Sequence, residues 1–296
     1  MSAVLSPSVS IAPPTNAGRG RRLLAFCGRH RLLAFSAAVF LLLVLVALLA
    51  PYLLGDPRTL NPVQRLRPPS AEHWFGTDHL GRSVFVRTVY GTRVSLAVGV
   101  AVAIATTLVG VAIGLVAGFL KRWDSVLMRA MDAVMAIPGV LLAIALMSLF
   151  GSDLRTVIVA ISIPEIPRMA RLVRGLTLSV RAQPYIQAAI TNGARLPRLL
   201  LRHVLPNVSA AVLVQATYVF ASAMILEAVL SFLGAGTPPD IPSWGSMLAE
   251  GRSYLQRAPW ILAFPGMCLA LLVLLVNVSG DAARDLLDPR LTRALG

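Results

Sequence analysis

From Val94 to Leu120 the chain runs 27 residues without a charged side chain. As an α-helix that stretch is about 40 Å long at roughly 1.5 Å per residue, more than the roughly 30 Å of a bilayer's hydrocarbon. Three stretches of 23 residues, Leu32 to Leu54, Val204 to Leu226 and Ala258 to Gly280, meet the same requirement. Ala133 to Ser152 adds one of 20, with Pro138 near its start as a kink that a membrane helix tolerates. The apolar run from Thr156 is cut at Pro164, Glu165 and Pro167 before continuing as RMARLVRGLTLSV, so hydropathy alone leaves a sixth span undecided. Parity decides for six spans, because five would put the arginine-rich segments 19–31 and 168–202 on opposite sides of the membrane.

Composition agrees with lipid as the main solvent. Of 296 residues, 56% are hydrophobic and 14% charged, against about 25% charged in an average soluble domain. A soluble enzyme is excluded, and disorder is confined to the ends. The formal charge of +14 would suit a nucleic-acid binder, but in an apolar chain basic residues mark cytoplasmic loops. With six spans and a cytoplasmic amino terminus, 18 of the 27 basic residues fall inside and nine outside. No nucleic-acid partner is therefore expected, and both termini are assigned to the cytoplasm. The first span exceeds the 7 to 15 residues typical of a signal-peptide core and is read as an uncleaved anchor. Cys27 and Cys268 form no pair, and the four histidines show no ligand spacing, so no metal site is expected.

The expected organisation is a cytoplasmic tail over 1–31, disordered and then basic; a first transmembrane helix over 32–54; an outer segment over 55–93; a core of five further helices over 94–280; and a cytoplasmic tail over 281–296. Between the fourth and fifth spans lies YIQAAITNGARLPRLLLRHVLPN. Pro184 to Thr191 can start a short helix, Gly193 permits a sharp turn, and Arg195 to Val204 can form a second helix before Pro206 opens the next span. Ile186, Ala189, Ile190, Leu199, Leu200 and Val204 exceed the apolar needs of a solvated loop, so a protein partner is expected to cover some of them.

Other features have a structural and a functional reading. Gly76 and Gly81 allow a tight backbone, Asp78 can cap the following helix, Arg82 and Arg87 suit the headgroup level, and Arg93 marks the edge of span two. Arg168, Arg171 and Arg174 recur on one helix face, either in the headgroup layer or against a partner. Gly110, Gly114 and Gly118 form a row of small residues that serves packing against a sister subunit or within the chain. Glu227 falls near the outer end of its span, read as interfacial rather than as a proton relay. Trp244 and Trp260 suit a membrane interface. There is no GxxxxGK[ST] phosphate loop, so ATP-driven work would need a partner.

The 184–206 connection resembles the EAA coupling loop of importer permeases in the ATP-binding cassette family, through Ala188, Ala189, Gly193, Leu205 and Pro206; Gln187 replaces the family's leading glutamate. GTDHLGRSVFVRTVYGTRVSL is similar to the signature of the "C subunit" of dipeptide, oligopeptide and nickel permeases. Gly76, Thr77, Asp78, Gly81, Arg82, Arg87, Gly91, Arg93, Ser95 and Leu96 match, while Ser83 and Val86 depart from it. A third block, from LSFLGAGTPPDIPSWGSMLAEGRSYL to SGDAARDLLDPRL, resembles the same subfamily. The resemblance implies an all-α integral protein of a bacterial inner membrane, with six transmembrane helices in the type I ABC importer permease fold (MetI-like).

It further implies an ATPase-coupling loop at Gln187, Ala188, Ala189, Gly193, Ala194, Arg195, Leu205 and Pro206, and a motif at the outer entrance from Gly76 to Arg93. Glu227, Phe232 and Trp244 are candidates for an outer gate. The chain would have no catalytic residue and no cofactor of its own. ATP and Mg would be bound by two partner ATPase subunits, beside a homologous permease, an extracytoplasmic solute-binding protein and a peptide substrate. Nickel chelates, glutathione and other small solutes are alternative cargoes, and a non-transporting anchor or a secondary carrier are alternatives of a different class.

Overall fold

A computed structural model describes residues 31–238 and 241–287. Residues 1–30 of the expected amino-terminal tail, Cys27 among them, and residues 288–296 lie outside them. Among the described residues every regular element is helical, and the one β-contact is an isolated bridge between Thr77 and Ser83.

Helix α1, Arg31–Leu53, is apolar on all sides. Ala47 and Ala50 are buried while Leu41, Leu45 and Leu48 stay exposed, as suits a helix with lipid on one flank. It is tied to the last helix by a hydroxyl bond from Ser279 to Ser36. Helix α2, Val84–Phe119, has 36 residues and starts ten residues before the uncharged stretch does. Its cap is Ser83, whose hydroxyl accepts from the Val86 N–H, and not Asp78, whose carboxylate is engaged elsewhere. Arg93 consequently sits more than two turns inside the helix rather than at its edge, exposed beside Phe40, Val44 and Leu48 of α1.

Past Leu120 the chain turns into α3, Lys121–Met135, and α4, Gly139–Phe150, which meet at an 84° bend. The span expected over Ala133–Ser152 with a kink at Pro138 is instead this sharply bent pair, and α4 has 12 residues, about 18 Å, too few to cross hydrocarbon alone. Helix α5, Leu154–Arg181, continues unbroken through Pro164 and Pro167 for 28 residues. It lies along α2, and the glycine row of α2 makes that approach possible. A Cβ on Gly110, Gly114 or Gly118 would come within 2.6 Å of the Cβ of Met169, Val173 or Thr177 respectively. The small-residue row is therefore used within the chain.

After α5 come α6, Pro184–Thr191, and a single turn α7, Leu196–Arg198, which widens into a π-helical segment, Leu199–Val204. A uniform α-helix from Arg195 to Val204 was the expectation. Instead the Leu205 N–H reaches back five residues to Leu200, and Pro206 follows with no N–H to restore the α pattern. Helix α8, Leu205–Phe232, α9, Trp244–Arg252, and α10, Trp260–Leu287, complete the chain. Helix α10 continues seven residues past Gly280, where the carboxy-terminal tail was expected to begin.

Among the described residues, four helical segments are long and apolar enough to cross a membrane: α1, α2, the run Leu196–Phe232 and α10; the bent α3–α4 pair makes a fifth if it is counted as one span. The long α5 is the fourth span of the expected six, and Glu165 and its arginines keep it below that standard of apolarity. Separate cores close the two ends of the bundle. Val84, Met247, Ala258 and Ile261 pack at the start of α2, and Phe119, Ile186, Leu199, Val204 and Val208 at its finish. These ends carry the two motifs.

Candidate functional site

At the start of α2 the GTD segment folds on glycines that nothing else can replace. Gly81 has φ +77°, and a Cβ there would lie 1.8 Å from the Asn61 carbonyl oxygen. Gly76 has φ +72°, with the Arg67 carbonyl and the Trp260 indole within 2.8 Å of the same position. Thr77 is buried, accepting from Arg67 N–H at 2.9 Å, and the Trp260 Nε1 donates to the Thr77 carbonyl at 3.1 Å.

This scaffold delivers Asp78 to a buried ion cluster. Asp78 Oδ1 accepts from the backbone N–H groups of Leu80 at 2.8 Å and Arg82 at 2.9 Å. Its Oδ2 accepts from Arg82 Nε at 2.6 Å and Arg87 Nη1 at 2.7 Å. Across the end of the bundle, Glu250 of α9 accepts from Arg82 Nη2 at 2.8 Å and takes Arg87 as a fork, Nη1 at 2.7 Å and Nη2 at 2.9 Å. Two acids thus balance two guanidinium groups, and the Arg87 side chain is only 1% exposed. Arg82 and Arg87 are not headgroup anchors, as had been expected. A buried charge needs partners, and these partners are supplied 163 residues along the chain for Arg87. Burial pushes the Asp78 carboxyl up, but Arg87 and Arg82 together outweigh it and hold the group below its ordinary value.

Asp78, His79 and Glu250 bring ligand atoms within 4.8 Å of one another, a spacing that could admit a cation. Both carboxylates are already engaged by guanidinium donors, so an ion there would face two positive groups. The His79 ring stacks on Tyr254 with centroids 5.1 Å apart.

The candidate gate residues separate. Trp244 is fully buried, not interfacial: its Nε1 donates to the Thr88 carbonyl at 2.9 Å, and a Cβ on Gly91 would stand 3.0 Å from its ring. Glu227 is also fully buried, against the interfacial expectation, with Oε1 accepting from the Ser231 hydroxyl at 2.9 Å. Nearby, Ser243 forms a reciprocal capping box with Ser246 at the start of α9 and accepts from Thr237. Phe232 instead stays 37% exposed beneath the Arg252 guanidinium, 5.1 Å from the ring centroid. Glu250, which joins the cluster, is given no site role by the sequence expectations; the outer connection that holds it also carries Asp240, Arg252 and Arg257, so nothing local singles it out.

At the opposite end, α6 occupies the residues expected of it. It stops in a Schellman arrangement: the Ala194 N–H donates to the Ala189 carbonyl, the Gly193 N–H to Ile190, and Gly193 takes φ +75°. Arg195, exposed, stands just before α7. Gln187 is exposed, and its Nε2 donates to the Arg181 carbonyl at 2.8 Å, closing the last turn of α5. A glutamate could not donate that bond. Ile186, Leu199 and Val204 are buried by the chain itself, packed with Leu115 and Phe119 of α2 and Val173 of α5, so a partner is not needed for them. Tyr185, Ala188 and Ile190 remain exposed. Leu205 is half-buried and Pro206 exposed at the root of α8.

Arg168, Arg171 and Arg174 of α5 are ion-paired rather than free in a headgroup layer. Arg168 Nη1 meets Glu165 at 3.0 Å, Arg171 pairs with Asp132, and Arg174 holds Asp124 through Nε and Nη2, the latter at 2.7 Å. The last two pairs bind α3 across α5.

Comparison with known proteins accords with this architecture. Residues 110–293 match the family described as binding-protein-dependent transport system inner membrane component. A probable peptide ABC transporter permease of Sinorhizobium fredii is 51% identical over 265 residues, covering 90% of this chain and 91% of the relative. The dipeptide transport system permease DppC of Alkalihalophilus pseudofirmus is 38% identical over 294 residues, 97% of each chain. In fold, the chain is similar to a subunit of the inward-facing MetNI methionine ABC transporter, with a TM-score of 0.58 at 18% identity, covering 68% of this chain and 95% of that one. The chain belongs to the family of binding-protein-dependent transport system inner membrane components.

Proposed function

We propose that this chain is one of two membrane subunits of an ATP-driven importer of dipeptides and oligopeptides. The single observation that carries the reading is the hairpin at 184–206. Its exposed α6 face, Tyr185, Gln187, Ala188 and Ile190, stands on a foot, Ile186, that is fully buried against the ends of α2, α5 and α8. A push on that face cannot be absorbed locally, because close-packed side chains transmit displacement. The peptide substrate is supported by the relatives named above.

In this reading the hairpin faces the cytoplasm, where two ATPase subunits bind ATP and Mg and seat α6. A homologous permease completes the path, and an extracytoplasmic solute-binding protein delivers the peptide to the GTD end. ATP-driven closure displaces α6, the displacement tilts the helices above it, and the path alternates between inward and outward openings. The buried Asp78–Arg82–Arg87–Glu250 cluster keeps the start of α2 and α9 moving as one body at the delivery end. The chain performs no covalent chemistry.

The test is reconstitution of the assembled complex in liposomes. Uptake of a labelled dipeptide that requires ATP, the binding protein and this chain together supports the reading. Uptake by the isolated chain under an ion gradient without ATP would instead make it a secondary carrier.

A further inference from the structure

Helix α2 provides a depth scale for α5. Gly110 stands against Met169 and the Ile166 carbonyl, and it lies ten residues, about 15 Å, before the end of the uncharged stretch at Leu120. That is half of a hydrocarbon layer of roughly 30 Å. Glu165 and Arg168 are therefore at mid-membrane depth, and Arg168 is 50% exposed there. A guanidinium in that position does not face lipid; it faces water or protein.

The open face continues toward the hairpin end. Arg171 is 46% exposed, its partner Asp132 57%, Arg174 35%, and on the same face Gly175 has open space around it. The charges alternate in sign and cancel overall: Glu165, Arg168, Asp132, Arg171, Asp124, Arg174. The pairing leaves donors over, since Arg168 donates through Nη1 and Arg171 through Nη2, while a guanidinium carries five N–H groups.

We propose that the face of α5 bearing Arg168, Arg171 and Arg174, with Asp132 of α3, lines the inner half of a water-filled path and hands a zwitterionic solute along by its carboxylate and ammonium ends. The substrate assignment rests on the importer reading; the placement of the path does not. A neutral ladder of spare donors and half-exposed acceptors holds a zwitterion briefly at each rung, and such weak multi-site contact is what conduction needs.

The experiment uses the assembled complex in liposomes, in a parent with Cys27→Ser and Cys268→Ala, carrying one of Arg168→Cys, Gly175→Cys or Leu108→Cys. Leu108 is 67% exposed on α2, two residues before Gly110, and serves as an apolar control at the depth of Arg168. The probe is the water-soluble, membrane-impermeant sulfonatoethyl methanethiosulfonate, applied from the hairpin side. Arg168→Cys and Gly175→Cys are expected to react and Leu108→Cys to stay inert. Gly175→Cys alters no charge, so its reaction is informative even where Arg168→Cys fails to assemble. If both resist as Leu108→Cys does, the face is covered by lipid or by the sister subunit and the placement is overturned.

Glycylglycine is expected to slow modification of Gly175→Cys by about twofold or more, and glycinamide, which lacks a carboxylate, to leave it unchanged. Equal effects of the two overturn recognition of the carboxylate. ATP-driven dipeptide uptake by the parent is scored separately. Loss of uptake with labelling intact would remove the importer reading and leave the path, and the reverse pattern would remove the path and leave the importer.

Discussion

Arg87 grips Glu250 as a fork, Nη2 to Oε1 at 2.9 Å and Nη1 to Oε2 at 2.7 Å, joining the first turn of α2 to α9 across 163 residues of sequence. Breaking a buried pair by removing one partner leaves an uncompensated charge and costs about 3–5 kcal/mol. Glu250→Ala is expected to lower the thermal midpoint of the purified complex markedly. Adding Arg87→Met should recover much of that loss, because the orphaned charge is then gone. A double variant no more stable than Glu250→Ala would show that the cluster is not held as a pair.

Asp78 adds a pH dependence. Its carboxyl is held below the ordinary value of 3.8, so the folded state prefers the charged form more than the unfolded chain does. The stabilisation is complete above that ordinary value and is lost as pH falls through the lower folded value. Acid unfolding of the purified complex should therefore show a component below about pH 3.8 that Asp78→Asn abolishes. An identical acid profile in the variant would contradict this.

The glycine row gives a packing test. Gly114→Val would drive its side chain into Val173, whose Cβ already lies 2.6 Å from the position of a Cβ at residue 114. Overpacking of this kind costs about 1–3 kcal/mol, and the yield of folded protein should fall. Gly175→Val, on the open face of α5, should leave the yield unchanged. Equal yields for the two would mean that α2 and α5 do not approach as closely as described.

Gln187 allows a finer comparison. Gln187→Glu removes the donor to the Arg181 carbonyl while keeping size and shape, and Gln187→Ala removes the side chain. Both should loosen the junction of α5 and α6, seen as faster amide exchange around Arg181, by about 1 kcal/mol of local stability for one hydrogen bond. Unchanged exchange in both variants would show the bond to be idle.

The elements legible from sequence were those set by local rules. Uncharged runs located α1, α2, α8 and α10, and Pro184 and Gly193 bounded α6 because their backbone preferences act at one position. Helix α5 was obscured because Pro164, Pro167 and three arginines mimic a loop, and what sustains it is contact with the glycines of α2 and the acids of α3. The ion cluster was hidden for a similar reason. Arg82, Arg87 and Trp244 look like interfacial anchors until the fold brings Glu250 and the Thr88 carbonyl to them. The π segment at Leu199–Val204 follows from Pro206 together with the packing of Leu199 and Val204, and only the first of these is written locally.

The most direct test of coupling through the hairpin is Gly193→Val in the assembled complex. Gly193 has φ +75° with nothing within 4 Å, so the substitution clashes with no neighbour and acts through the backbone, where a left-handed L residue costs about 1–2 kcal/mol. Dipeptide uptake and ATP hydrolysis are measured in the same liposomes. Membrane insertion should persist and ATP hydrolysis continue, while ATP-driven uptake falls by about tenfold or more, the loss expected from roughly 1.4 kcal/mol of misdirected coupling. Wild-type uptake in Gly193→Val liposomes would contradict the assignment of the hairpin as the lever.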